Sequence, residues 1–286
     1  MENSKLLELK NISSLHQLRE KVLKTPFDEE KNQRAYKQIF SCLDITTLDG
    51  NDTPEKVRNL CKKVLSYRLS DEDTLLPASV CVFPSLVFAA REILEGTTVK
   101  ISSVSGGFPY GQTPLSVKLS ETAYALDKGA DEIDLVVNRV PLLEGKTNNF
   151  IHEIQTVKAL CGNKSLKVIL ETGALETLHQ VRKAVELSIE AGADFVKTST
   201  GKIPQGATLE DVIIMLDEII VRNKENRHTT GIKISGGVSE PYQSLLYYHL
   251  FQHFFPQSPL SKDKFRIGCS RLADKLFEAI LSNNEK

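Results

Sequence analysis

The chain has 286 residues, 41% of them hydrophobic, with 36 basic against 37 acidic side chains and a formal net charge of −1. That is enough apolar material for one large domain or two small ones, and the even charge balance argues against nucleic acid as a partner. No apolar run approaches the roughly 18 residues of a membrane span, the start Met-Glu-Asn-Ser-Lys lacks a signal peptide's apolar stretch, and the five cysteines lie far apart without metal or redox spacing, as expected of a cytoplasmic protein with reduced thiols.

Residues 1–38 carry Leu6, Leu7, Leu9, Leu15 and Leu18 at mixed helical spacing among many charges, which predicts an N-terminal helical extension covering one end of the main body. From residue 39 to 286 the chain falls into a regular beat, read as one catalytic domain. Ile39–Leu43 is the first predicted strand, ending at Asp44. Thr53 followed by Pro54 then starts a helix, because a threonine cap and a proline at the first helical position both favour initiation. Ser79–Phe83 is strand two, stopped by Pro84, and Val99–Val104 is strand three, opening into Gly106-Gly107. Strands four to eight follow at Glu132–Val137, Leu166–Glu171, Asp194 onward, Gly231–Ser235 and Phe265–Gly268, each followed by a helical stretch.

Eight strand–helix units in one direction predict an α/β fold of the (β/α)8 TIM-barrel type with an added N-terminal helical segment. The absence of a Gly-x-Gly-x-x-Gly pattern after strand one argues against a dinucleotide-binding sheet. In such barrels the functional residues stand at the carboxyl ends of the strands.

Four charged residues sit on apolar strands there. Asp134, Lys167, Lys197 and Lys233 are separated by 33, 30 and 36 residues, each gap fitting one strand, one helix and two short loops. Their neighbours Ile133, Leu135, Val168, Val196, Ile232 and Ile234 are apolar. Side chains alternate along a strand, so if those face the helices, the charged set faces the interior together. A buried lysine crowded by another lysine has a depressed pKa, through lost hydration and like-charge repulsion. A neutral amine attacks carbonyl carbon, and the iminium so formed draws electrons from a neighbouring bond. Lys197 is the expected nucleophile, Asp134 and Lys233 the proton-transfer pair, and Lys167 a residue that holds Asp134 or adds positive field. Metal-assisted aldol chemistry is disfavoured, since no histidine falls at a strand's carboxyl end and His249 and His253, spaced four apart on a helix, lack a third ligand. No cofactor is expected.

The glycine-containing turns Thr200-Gly201-Lys202, Gly236-Gly237 and Gly268-Cys269-Ser270 lie on neighbouring loops. Backbone N–H groups at such turns can approach an anion, which predicts a phosphorylated substrate. Cys81, late in strand two, shares a face with Phe83 and is read as a buried structural thiol, the alternative being a thiol at the barrel mouth to which unsaturated aldehydes could add.

These residues resemble deoxyribose-phosphate aldolases. The similarity runs through Leu-Asp-Ile-Thr-Thr-Leu (43–48), Gly-Ala-Asp-Glu-Ile-Asp-Leu-Val (129–136), Leu-Lys-Val-Ile-Leu-Glu-Thr-Gly (166–173), Ala-Gly-Ala-Asp-Phe-Val-Lys-Thr-Ser-Thr-Gly-Lys (191–202), Lys-Ile-Ser-Gly-Gly-Val (233–238) and Phe-Arg-Ile-Gly-Cys-Ser (265–270). The resemblance implies reversible cleavage of 2-deoxy-D-ribose 5-phosphate to acetaldehyde and D-glyceraldehyde 3-phosphate through a Schiff base on Lys197. It also implies that Asp44 and Thr46 contact substrate hydroxyls, and Lys167 and Thr200 are placed with them on the substrate side. Gly201, Lys202, Gly236, Gly237, Gly268, Ser270 and Arg271 are expected around the phosphate.

Two departures from the family pattern bear on that phosphate. Ser239 stands where the family commonly has arginine, and Arg271 stands where it commonly has serine. Either Arg271 reaches the same anion from the neighbouring loop, or Ser239 suffices through its hydroxyl and N–H. The chain also ends Asn-Asn-Glu-Lys rather than in a tyrosine. The competing readings are a Schiff-base barrel aldolase for a keto-sugar phosphate and a non-catalytic sugar-phosphate sensor. The expected partner is a small sugar phosphate, with no nucleic acid and no membrane. Assembly as a homodimer is left open.

Overall fold

Eight short strands close on themselves in the computed structural model, which describes residues 12–26, 28–69, 74–226 and 229–282. Leu6, Leu7, Leu9 and the terminal Asn-Asn-Glu-Lys lie outside the described residues. The strands are β1 (Leu43–Thr46), β2 (Ser79–Val82), β3 (Lys100–Ser105), β4 (Glu132–Val136), β5 (Ser165–Ile169), β6 (Phe195–Lys197), β7 (Gly231–Ser235) and β8 (Phe265–Cys269). Each pairs in parallel with its sequence neighbours, and β8 closes onto β1. Among the described residues no helix is long and apolar enough to cross a membrane.

Two helices, α1 (Ile12–Leu23) and α2 (Glu29–Ser41), precede the barrel. The outer ring is α3 (Pro54–Val64), α4 (Val87–Leu94), α5 (Leu115–Asp127), α6 (Val140–Leu143), α7 (Thr147–Cys161), α8 (Leu178–Glu190), α9 (Leu209–Asn226), α10 (Pro241–Phe254) and α11 (Leu272–Leu281). The Thr53 side chain accepts from the Lys56 N–H with Pro54 at the first helical position, as the sequence predicts. The four-residue α6 is not among the predicted elements, being too short to show a period.

The predicted first strand is corrected. Ile39–Ser41 belongs to α2, which crosses the expected boundary at residue 38, and β1 starts only at Leu43. The apolar run that suggests a strand is a helical face. Tyr36, Ile39 and Phe40 are spaced i, i+3, i+4, and all are buried. Phe40 packs edge-on against Tyr67 at 5.0 Å and lies 6.1 Å from Phe277 of α11, which ties α2 to the barrel's last helix. Leu15, Leu18 and Val22 of α1 join the same core.

Alternation then separates two environments. Ile133, Leu135, Val168, Val196, Ile232 and Ile234 belong to the apolar layer between strands and helices. The intervening residues turn inward. Asp134 pairs in register with Lys167, Lys197 with Lys233, and Lys233 with Arg266, so the charged side chains are ladder neighbours.

Candidate active site

Asp134 is the hub of the barrel interior. Its Oδ2 accepts from Lys197 Nζ at 2.8 Å and from Lys233 Nζ at 2.7 Å, while its Oδ1 accepts from Lys167 Nζ at 3.0 Å. The four residues brought to one interior by sequence spacing therefore meet on one carboxylate. Two further residues complete the network. Glu132, two positions before Asp134 and on the same face, accepts from Lys167 and from Arg266 Nη2 at 2.8 Å. Arg266 also pairs with Asp44 and lies over the Phe195 ring at 5.5 Å. Asp44 in turn forms an ion pair with Lys233 at 2.5 Å.

Burial makes the charge count decisive, because unpaired charge in a dry interior costs several kcal/mol. Asp44, Glu132, Asp134, Lys167 and Lys233 are fully buried, and Lys197 is only 3% exposed. Three carboxylates face the four bases Lys167, Lys197, Lys233 and Arg266. Lys100 approaches Glu132 at 3.5 Å, but its side chain is 40% exposed and so screened by water. The interior balances only when one of the four bases is neutral.

Of the three buried lysines, Lys197 is the one whose pKa is lowered. Burial pushes its amine down, the nearby Lys233 charge adds to that, and the single contact with Asp134 opposes it without prevailing. Lys167 and Lys233 are buried equally, yet each is held above the ordinary lysine range because neighbouring carboxylates outweigh its lost hydration. Asp134 itself, despite burial, is held well below the usual carboxylate range by Lys167, Lys197 and Lys233. The arrangement is an amine of lowered pKa beside an ionised carboxylate and a second lysine held as a cation.

Above this network opens a cavity of about 760 Å³. Lys197 is at its floor. Thr46, Thr200, Gly201, Lys202, Gly236, Gly237, Gly268, Ser270 and Arg271 all line it. Asp44, Asp134, Lys167 and Lys233 do not; they lie beneath. Asp44, expected at a substrate hydroxyl, is ion-paired with Arg266 and Lys233. The Thr46 hydroxyl donates to the Asp44 carbonyl at 2.9 Å. Gly268 has a second role, since a Cβ there would meet Lys233 Cε at 3.2 Å; the glycine gives that lysine room.

The phosphate side differs in detail from expectation. Arg271 is exposed and immediately precedes α11. The Ser239 N–H is taken by Gln243 Oε1 at 2.9 Å, so it has no N–H to offer an anion. Gly236 and Gly237 adopt φ of +86° and +84°, a region open to glycine, and Gly236 packs against Gly206 too closely for a side chain. Lys56 and Lys63 of α3 also line the cavity, held by Asp52 and by Asp274.

Across the barrel the interior turns apolar. Leu48, Cys81 and Val104 form a small cluster apart from the main core, flanked by Phe83 and Phe108, whose rings meet edge-on at 5.9 Å. Cys81 is fully buried, and burial raises its thiol pKa. His249 and His253 fall on α10, and among the described residues no group of three metal-ligating side chains occurs.

Residues 39–246 match the DeoC/LacD family aldolase profile. The chain belongs to the DeoC/LacD aldolase family. It is 37% identical to the mouse deoxyribose-phosphate aldolase over 80% of its own length and 76% of that protein's. The human deoxyribose-phosphate aldolase is 38% identical over the same shares of the two chains, 80% and 76%. Among solved structures, the tetrameric deoxyribose phosphate aldolase from Aeropyrum pernix superposes with a TM-score of 0.68 at 26% identity, covering 96% of this chain and 99% of that one. Within this DeoC/LacD aldolase, Glu132, Arg266, Lys56 and Lys63 are site residues that the sequence reading does not pick out. Alternation alone is enough to find Glu132, which shares a face with Asp134, and Arg266, which shares one with Gly268.

Proposed function

We propose that this protein is a deoxyribose-phosphate aldolase in which Lys197 forms the Schiff base. The observation that carries the reading is one lysine amine at the cavity floor, desolvated and hydrogen-bonded to a carboxylate that a second, cationic lysine shares. Lys197 Nζ attacks the C1 aldehyde of open-chain 2-deoxyribose 5-phosphate, and loss of water gives the iminium. The C2–C3 bond then breaks, its electron pair moving toward the iminium as the C3 hydroxyl loses its proton, and D-glyceraldehyde 3-phosphate departs. The remaining enamine is protonated at C2, and hydrolysis frees acetaldehyde and Lys197. Asp134 and Lys233 serve the proton transfers through water, with Asp134 as acceptor and Lys233 keeping it ionised.

The cavity's two sides suit the two ends of this substrate. Leu48, backed by the buried Cys81 and Val104, faces the two-carbon fragment, and the turns after β6, β7 and β8 face the phosphate. The reading is tested by incubating the purified protein with 2-deoxyribose 5-phosphate and measuring both products. Equimolar acetaldehyde and glyceraldehyde 3-phosphate are expected. Cleavage of a keto-sugar phosphate to dihydroxyacetone phosphate instead would overturn it.

Lys233→Leu is expected to move the acid limb of kcat/KM to higher pH. The nucleophile works only when neutral, so activity falls as pH drops through the Lys197 pKa. Removing the Lys233 charge removes one cause of that depressed pKa, and the value rises. A profile from about pH 5 to 10 checks this; an unmoved limb would leave Lys233 only a part in proton transfer.

Arg271→Ala is expected to raise KM for 2-deoxyribose 5-phosphate and to spare turnover of unphosphorylated 2-deoxyribose. Arg271 lines the cavity beside Ser270, and guanidinium–phosphate contacts can be bidentate. Equal behaviour of mutant and parent on both sugars would remove Arg271 from the phosphate site.

A further inference from the structure

Beneath the turn assigned to the phosphate lies a buried side chain that the reaction above does not use. Glu171, two residues past the end of β5, is 1% exposed and does not line the cavity. Its φ of +53° and ψ of +61° make it the one non-glycine residue at positive φ among the described residues. That left-handed conformation is disfavoured for any residue with a Cβ. A glycine would fit the backbone without strain, so what glutamate adds is its carboxylate.

The backbone on either side is clipped to the end of β6. The Leu170 N–H donates to the Lys197 carbonyl at 2.9 Å, and the Thr172 N–H to the Thr198 carbonyl at 2.8 Å. From that fixed point both carboxylate oxygens reach one residue of the next turn. Oε1 accepts the Thr200 N–H at 3.1 Å, and Oε2 accepts the Thr200 hydroxyl. Thr200 Oγ1 then accepts the Lys202 N–H at 3.1 Å. Two of the turn's three amides are thereby taken up internally. The third belongs to Gly201, which is exposed at φ +76° and lines the cavity beside Lys202.

We propose that Glu171 is a positioning residue that acts through Thr200 to hold the Gly201 N–H and the Lys202 side chain in place for the substrate phosphate. The inference rests on the phosphate placement given under the proposed function. Electrostatics alone gives the opposite expectation. A carboxylate close behind an anion site repels the anion, so neutralising it without any positioning role would tighten binding. Positioning makes the same change weaken it, because charge-assisted bonds to the turn are lost.

The test is steady-state kinetics of Glu171→Gln, Glu171→Gly and Thr200→Val, with 2-deoxyribose 5-phosphate and with unphosphorylated 2-deoxyribose. Glu171→Gln is expected to raise KM for the phosphorylated sugar by about tenfold with kcat within about threefold, and to leave kcat/KM for the unphosphorylated sugar unchanged. Glu171→Gly, which keeps the backbone turn, is expected to act in the same direction. The Glu171→Gln/Thr200→Val double variant is expected to be no worse than the worse single, since both act on one chain of bonds. A lowered or unmoved KM, an equal loss on both sugars, or singles that multiply in the double variant would overturn the proposal. So would loss of the folded barrel, by circular dichroism, in both Glu171 variants. Lys202→Gln serves as the control. If it does not raise KM selectively for the phosphorylated sugar, the phosphate placement itself is wrong; if it does and Glu171→Gln does not, only the positioning role fails.

Discussion

Replacing Lys197 with leucine is expected to reduce cleavage of 2-deoxyribose 5-phosphate to background, a loss of at least about 10⁴-fold, as for other enzymes stripped of their nucleophile. Three lysines meet on Asp134, but only one has a lowered pKa. Lys167 is bound by Glu132 and Asp134, and Lys233 by Asp44 and Asp134, so both are held as cations. Lys197 has one carboxylate, shared, and it alone of the three reaches the cavity. The barrel is expected to stay folded. With Lys197 removed, three carboxylates face the three bases Lys167, Lys233 and Arg266, so leucine leaves no buried ion without a partner. Residual turnover near the parent rate in Lys197→Leu would mean that another group does the chemistry.

Asp134→Asn is expected to fail in two ways at once. Loss of the acid–base group lowers kcat by about 10²–10⁴-fold. The same change removes the anion common to three lysine amines within 3.0 Å. Breaking a buried pair by deleting one partner costs about 3–5 kcal/mol, the penalty of the charge left behind. A chain of this size loses about 2–4 °C of Tm per kcal/mol, so a fall of about 10 °C is expected. Kinetics measured well below that lowered Tm separates the two effects. Full activity in a destabilised Asp134→Asn variant would confine the residue to the architecture.

Much of this site is legible in the sequence because period-two alternation on a parallel strand leaves little freedom. An acid or base flanked by apolar residues that face the helices must face the barrel, and that rule by itself places Asp134, Lys167, Lys197 and Lys233 in one interior. The same rule applied to every strand residue adds Glu132 and Arg266, and with them the count of three carboxylates against four bases. Other features are not local and cannot be read that way. Ile39 and Phe40 fit a strand and a helix equally, and only packing against Tyr67 and Phe277 decides for the helix. Lys56 and Lys63 look like the solvated face of a helix until the cavity is seen beside them. The pairing of Asp44 with Arg266, which comes from the other end of the chain, is another such contact. The positive φ of Glu171 and the capture of the Ser239 N–H by Gln243 are set by tertiary contacts that no pattern of residues displays.

The most direct measurement of the central claim is borohydride trapping of the native enzyme with acetaldehyde, followed by mass-spectrometric mapping of the modified peptide. Reduction fixes the iminium as a stable secondary amine on whichever lysine formed it. The expected result is one adduct, on Lys197, absent when borohydride or acetaldehyde is omitted. An adduct on Lys167, Lys202 or Lys233 with Lys197 unmodified would contradict the assignment of Lys197 as the Schiff-base lysine.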